Sequence, residues 1–380
     1  MSHDRRPFAG GERFPDAPVE TELLEVESLS TGFRTPLGVV RAVDDVSLRL
    51  DRGRTLGVVG ESGSGKTVLS RSIMGLLPTR NVERTGSVRF EGSELVGLPA
   101  KQLRAFWGTE MAMIFQDPMT SLNPVTRIGR QITEPLLWHF DITKAFARET
   151  AIALLASVGI SEPERRFRQY PHELSGGMRQ RVMIAIALAC GPKLLFADEP
   201  TTALDVTVQG QILDLLGRAR AERFMSMILV THDLGVVAGR ADDIAVMYAG
   251  RIVEQAPARS LFTRVRMPYT EALLKSIPRI TDPSHTRLDA IAGRPPDLIA
   301  PPPGCRFAPR CTYVEDRCRT EEPPLVVAED PAHLYRCWFP VGTPRRITAT
   351  ATVSAGAAAP TGAPPETPGA TPAPTDGPGV

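Results

Sequence analysis

The short apolar run Leu56–Val59 gives way at once to GESGSGKT, Gly60 to Thr67. Within that string Gly60, Gly63 and Gly65 precede Lys66, and a helical stretch starts near Lys66. An apolar run of this length bounded by glycine predicts a buried strand, so the segment reads as strand, tight loop and helix. The glycines let successive backbone N–H groups turn inward at the helix N-terminus, where the dipole already favours an anion. Lys66 is then placed to reach the terminal phosphates of a nucleotide, and the Thr67 hydroxyl to hold Mg²⁺. Gly60, Ser62, Gly63, Ser64, Gly65, Lys66 and Thr67 are therefore the candidate nucleotide-binding residues. A loop of this kind needs a sheet that buries the strand behind it, which points to an α/β architecture.

A second apolar run, Leu194 to Phe196, leads into Asp198 and Glu199. A buried parallel strand delivers side chains in this way to its C-terminal edge. Asp198 suits Mg²⁺, held through water, and Glu199 suits a general base that polarises the attacking water. Alone, the string is equally a strand ending in a solvated acidic turn. Beside a phosphate-binding loop it completes a hydrolytic site.

The string LSGGMRQR, Leu174 to Arg181, stands 23 residues before Asp198, counted from Ser175. Ser175, Gly176 and Gly177 open an apolar helix running through Val182, Ile184 and Ile186, a second helix N-terminus able to face phosphate. This string and its position resemble the signature of ATP-binding cassette (ABC) ATPases, over roughly residues 21–265. The resemblance implies that Ser175, Gly176 and Gly177 contact the γ-phosphate of ATP bound to an opposite subunit, so that two cassettes close head to tail around two ATPs. It also implies that Gln116, in MIFQDP, touches Mg²⁺ and the lytic water and connects the site to a membrane partner. Asp205, in TALD, would cross the interface between cassettes. His232, in THD, would contact the γ-phosphate and stabilise charge in the transition state. Phe33 is the candidate aromatic for stacking on adenine, with Val43 packing nearby.

Composition is that of an ordinary globular protein, 42% hydrophobic and 23% charged over 380 residues, enough for one substantial core and a smaller appendage. A net charge of +1 offers no electrostatic case for nucleic-acid binding. The purest apolar run, Val182 to Cys190, is far shorter than a bilayer span, and the N-terminus lacks the apolar core of a secretory signal. If the chain powers transport, the membrane channel is expected on separate chains, with this subunit peripheral at the cytoplasmic face.

Residues 1–20 read as disordered, and 21–265 as the nucleotide-binding domain, with strands around the nucleotide loop up to about residue 92. Helical spacing at Ala151, Leu154, Leu155 and Val158 marks a helical subdomain over about 123–190. Strands and helices alternate again from Leu194 to Gly250, as in a mostly parallel sheet. Residues 266–343 form a Cys-rich extension, and 344–380, dominated by Ala, Pro, Thr and Gly, a flexible tail. The fold class that these patterns and the resemblance together imply is an α/β P-loop ABC ATPase core with an N-terminal β subdomain, an α-helical subdomain and a small Cys-rich C-terminal domain. No internal repeat supplies a second cassette.

Cys190 lies in an apolar run and reads as an inert core residue. Cys305, Cys311, Cys318 and Cys337 instead cluster as C-x5-C-x6-C-x18-C. Clustered cysteines in a cytosolic protein favour a metal over disulfides. These spacings are longer than the paired knuckles usual for zinc, and suit an iron–sulfur cluster better, with Zn²⁺, free thiols or disulfides left as alternatives. The surrounding PPPGCRFAPRC, DRC and AHLYRC, with FQDPMTSLNPV and ADEPTTALDVTVQ, resemble the oligopeptide and dipeptide branch of ABC importers, some of which bind a [4Fe–4S] cluster through such cysteines. That branch implies a nonidentical second ATPase subunit, two membrane permease subunits and an extracytoplasmic peptide-binding protein. The competing readings are the same machinery carrying nickel or another small solute, and a soluble non-transport cassette acting on ribosomes or DNA repair.

Overall fold

The computed structural model describes residues 21–202, 205–277 and 291–343. The segments 1–20 and 344–380, read from sequence as disordered, lie outside the described residues. In chain order the strands are β1 (Glu22–Thr35), β2 (Gly38–Asp51), β3 (Thr55–Val59), β4 (Val82–Phe90), β5 (Ser93–Glu94) and β6 (Met111–Ile114). They continue as β7 (Leu194–Asp198), β8 (Ser226–Thr231), β9 (Asp243–Tyr248), β10 (Arg251–Pro257), β11 (Val326–Val327) and β12 (Leu334–Tyr335).

Two sheets result. The first is antiparallel, in the order β2-β1-β4-β5, and its long strands alternate buried and exposed positions because one face packs inward while the other meets water. The second has the order β11-β12-β10-β9-β3-β8-β7-β6. Its centre, β9-β3-β8-β7-β6, is parallel, and β3, β7 and β8 are buried at every residue. That is why those strands read in sequence as unbroken apolar runs rather than alternating ones. All five parallel strands point their C-terminal ends the same way, so the loops after β3, β6, β7 and β8 open on one edge of the sheet.

Between β6 and β7 come the helices Ile128–His139, Lys144–Ser157, Pro163–Phe167 and Gly176–Leu188. Ala151, Leu154, Leu155 and Val158 are buried there with Ile132, Leu136 and Ile184, one apolar core shared with the sheet. A second core, with Leu24, Val43, Phe90 and Leu69, fills the space between the two sheets. No helix among the described residues is long and apolar enough to cross a membrane.

The C-terminal extension departs from the sequence expectation of a small separate domain. The described residues up to Gly342 belong to one compact unit. The reason is long-range packing: Phe307, 3% exposed, inserts against Tyr248 and Tyr269, and β12 adds to the edge of β10. At that edge His333 meets Glu254 at 2.8 Å, both side chains almost fully buried. Glu254 also accepts from the backbone N–H groups of Arg266 and Met267, so its oxygens are satisfied without water.

Candidate active site

β3 ends at Val59, and the loop from Gly60 to Lys66 must fit between β9 and β2. A Cβ on Gly60 would collide with the carbonyl oxygen of Met247, and one on Gly65 with that of Ala42. Gly65 also caps the helix Lys66–Ile73 with φ 104°, a left-handed conformation that glycine adopts without strain. Ser62 and Gly63 lie exposed on the loop, whereas Ser64 is buried and its hydroxyl has no hydrogen-bond partner.

The Lys66 ammonium donates to the carbonyl oxygens of Gly60 at 2.7 Å and Glu61 at 3.0 Å. Burial pulls its pKa down, while Glu199, Asp198 and Glu61 pull it back up. Beside it the Thr67 hydroxyl donates to Asp198 Oδ1 at 3.0 Å. Asp198 Oδ2 is buried with no partner at all, and burial holds this carboxyl above the usual Asp range. A buried carboxylate oxygen left without a donor, next to a hydroxyl, is the donor set that a hard divalent cation takes, so these residues fit Mg²⁺.

Glu199 follows at the end of β7 with φ 46°, outside the strand conformation, its N–H bonded to Val230 O. The turn swings its carboxylate toward side chains from both neighbouring strands. Gln116, after β6, donates to Glu199 Oε2 at 3.0 Å. His232, after β8, brings Nδ1 to 3.4 Å from the same oxygen, with its ring largely exposed. Thr202, which the sequence reading missed, donates its hydroxyl to that oxygen at 2.9 Å. Its signal was present in the turn ADEPTT, where a hydroxyl three residues after the acid can reach back. Three side chains thus meet on the Glu199 carboxylate at the C-terminal edge of the sheet, the position where open α/β sheets place their ligands.

The other predicted residues are placed differently. Ser175 caps the helix Gly176–Leu188 by accepting from Met178 N–H, and both Ser175 and Gly176 are exposed, Gly177 partly so. The helix N-terminus at Ser175 and Gly176 therefore faces outward, with the Ser175 hydroxyl as its cap. Further along the same helix the buried Gln180 donates to Pro200 O at 2.6 Å, tying it to the turn that carries Glu199. Asp205 caps the helix Val206–Arg223 through Val208 N–H at 2.9 Å. Phe33 is half-buried on β1, opposite Val40 and Val82. Val43 is fully buried in the core between the sheets.

Cys305, Cys311, Cys318 and Cys337 all line one small cavity, and no disulfide joins them. Backbone N–H groups two residues on point at three of the sulfurs: Phe307 at Cys305, Tyr313 at Cys311 and Phe339 at Cys337. Burial pushes the thiols of Cys305 and Cys337 up, to about 11 and about 12, against those donors. The four cysteines share this cavity, three of them with a backbone N–H aimed at sulfur. Among the described residues, however, no three His, Cys, Asp or Glu side chains stand as a finished metal shell. Cys190 is buried in apolar surroundings that push its thiol up to about 12, as expected for an inert core cysteine.

Comparison with known proteins adds an independent line. Residues 43–202 match the model of the ABC transporter family, and residues 253–318 that of the oligopeptide/dipeptide transporter C-terminal region. The chain is 50% identical over 320 residues to the oligopeptide transport ATP-binding protein OppD of Bacillus subtilis, across 84% of this chain and 89% of that protein. It is 47% identical over 319 residues to the dipeptide transport ATP-binding protein DppD of Bacillus subtilis, across 84% and 95%. Among solved structures, the dimeric post-hydrolysis state of the ATP-binding cassette MJ0796 bound to ADP and Pi aligns with a TM-score of 0.57 at 26% identity, covering 62% of this chain and 99% of that one.

Proposed function

We infer the activity of this chain from its membership: it belongs to the ABC transporter family of ATP-binding subunits, among the oligopeptide and dipeptide transport proteins. It is an ATP hydrolase that powers peptide import, working with permease subunits. The observation that carries the reading is the meeting of Gln116, Glu199, Thr202 and His232 at the sheet edge that also holds the Lys66 loop.

The chemistry follows from those positions. Lys66 exchanges the two loop carbonyls for oxygens of the β and γ phosphates, which present the same kind of acceptor with more charge. Thr67 and Asp198 would hold Mg²⁺, with Gln116 beside them, and the ion when bound neutralises charge on the phosphates. Glu199 takes the proton of the attacking water as its oxygen bonds the γ-phosphorus and the bond to the β-phosphate breaks. Gln116 and Thr202 hold that carboxylate in place, and His232 steadies charge on the γ-phosphate in the transition state. Phe33 stacks on the adenine.

The outward-facing N-terminus at Ser175, Gly176 and Gly177 serves the γ-phosphate of ATP held by a second, nonidentical cassette, and Asp205 lies at that junction. The complex also contains two permease subunits and receives peptide from an extracytoplasmic binding protein, with this chain peripheral at the cytoplasmic face of the membrane. Cys305, Cys311, Cys318 and Cys337 would hold a [4Fe–4S] cluster, or Zn²⁺ as the alternative, and the three N–H groups aimed at sulfur support thiolate ligation. Purification through a tag on this chain tests the assembly. Two multispanning proteins and a second cassette should copurify in stoichiometric amounts; a tagged chain that purifies alone with full ATPase turnover contradicts it.

A further inference from the structure

Glu61, the second residue of the phosphate loop, is held from three directions. Its carbonyl oxygen accepts from Lys66 at 3.0 Å, its N–H donates to the Tyr269 hydroxyl at 2.9 Å, and its carboxylate receives Arg310. The Arg310 contact is bidentate: Nη1 donates to Oε2 at 2.6 Å and Nη2 to Oε1 at 2.7 Å. Nε donates to Ala292 O, Nη2 also to Ile291 O, and Nη1 also to the Tyr248 hydroxyl. All five guanidinium N–H donors therefore have acceptors, on a side chain only 3% exposed.

The surroundings make this a fixed arm. Phe307 stacks edge-on against Tyr248 and Tyr269, the same two tyrosines whose hydroxyls meet Arg310 and Glu61. Arg306 reaches Ala249 O and Asp44 from the same short segment, and the adjacent Gly250 N–H donates to Ser64 O at 2.9 Å. The segment 305–311 thus grips the phosphate loop at Glu61 directly and at Ser64 through the pair Ala249–Gly250.

We propose that Arg310 is a positioning residue for ATP binding: its fork on Glu61 fixes the backbone of the phosphate loop between Gly60 and Lys66 in the conformation that receives the phosphates. The inference rests on the reading of Gly60–Thr67 as a nucleotide site. The energetic logic is preorganisation, since a loop already in its binding conformation loses less entropy when the phosphates arrive. Without the fork, Glu61 keeps only its backbone ties and the loop samples conformations that misplace Lys66. The cost then falls on affinity, while hydrolysis at saturating ATP is spared because Glu199, Gln116 and His232 lie on other strands.

Fluorescent-ATP titration of the full-length chain, with steady-state kinetics of the assembled complex, tests this. Arg310→Met should raise the nucleotide Kd and the KM for ATP about tenfold and leave kcat within about twofold. Arg310→Lys, which retains one charged donor, should recover part of the loss. Glu61→Gln, on a more exposed side chain, should give a similar loss, and the double variant should be no weaker than the worse single one, because both remove the same pair. An unchanged Kd in Arg310→Met, or losses that multiply in the double variant, would overturn the proposal. If Arg310→Met does not fold, Arg310→Lys and Glu61→Gln, alone and combined, carry the same decision. Wild-type protein that binds no ATP would instead remove the nucleotide-site reading itself.

Discussion

Glu199 concentrates the chemistry of the site in one carboxylate oxygen, on which Gln116, Thr202 and His232 all converge. Glu199→Gln keeps an acceptor oxygen for those donors but removes the base. Hydrolysis by the assembled complex should fall about 10² to 10⁴-fold with nucleotide affinity retained, as measured by phosphate release and fluorescent-ATP binding. Asp198 carries the opposite tension. Its carboxyl, held above the ordinary Asp range by burial, binds its proton more tightly folded than unfolded. Such a group contributes stability below the unfolded pKa, about 3.9, and loses that contribution as pH rises through the raised folded value. Above that folded value the nucleotide-free protein carries a buried, half-partnered charge. Asp198→Asn should raise the melting temperature by a few degrees without nucleotide or Mg²⁺, and melting scans should show the gain shrink on acidification toward pH 4. The same variant should lose most of the added stability that Mg²⁺-ATP gives the wild type.

At the scale of elements, local signals were legible and distant ones were not. The strand before Gly60, the helix from Lys66 and the helix opened by Gly176 could be read because each is announced within a few residues by an apolar run or a cap. Which face of β2 carries Val43 is decided only by packing, which places it in the core between the sheets. The C-terminal extension was misread as its own domain because what docks it, Phe307 on Tyr248 and Arg310 on Glu61, spans up to 249 residues of sequence. The helix Gly176–Leu188 presents an outward-facing N-terminus, and its job under the proposal lies on another chain. Ser175→Arg should leave ATP binding at Lys66 nearly intact and depress turnover of the complex, since bulk and charge then face the partner's phosphate. Equal turnover of variant and wild type counts against a shared site. In the extension, Cys311→Ser or Cys318→Ser should abolish the brown colour, iron and labile sulfide expected of anaerobically purified protein, with ATP binding preserved. One equivalent of zinc in a colourless wild type would establish the tetrahedral thiolate alternative.

At the scale of the whole molecule, the sheet brings the loops after β3, β6, β7 and β8 to a single edge, and the C-terminal segment closes over the first of them. Under the proposed head-to-tail pairing, the chain's phosphate loop and its exposed signature helix would each form half of a site. The hydrolytic side chains of the site stand together within this chain, and under the proposal assembly supplies the second half and a path for cargo. The central claim, that hydrolysis at this edge drives peptide import, is tested most directly by uptake of a labelled oligopeptide into vesicles carrying the complete transporter with ATP on the cassette side. Wild type is expected to accumulate peptide only with ATP, and the complex with Glu199→Gln in this chain to lose that accumulation while still binding nucleotide. Equal uptake by the two complexes, or uptake that needs no ATP, would contradict the account.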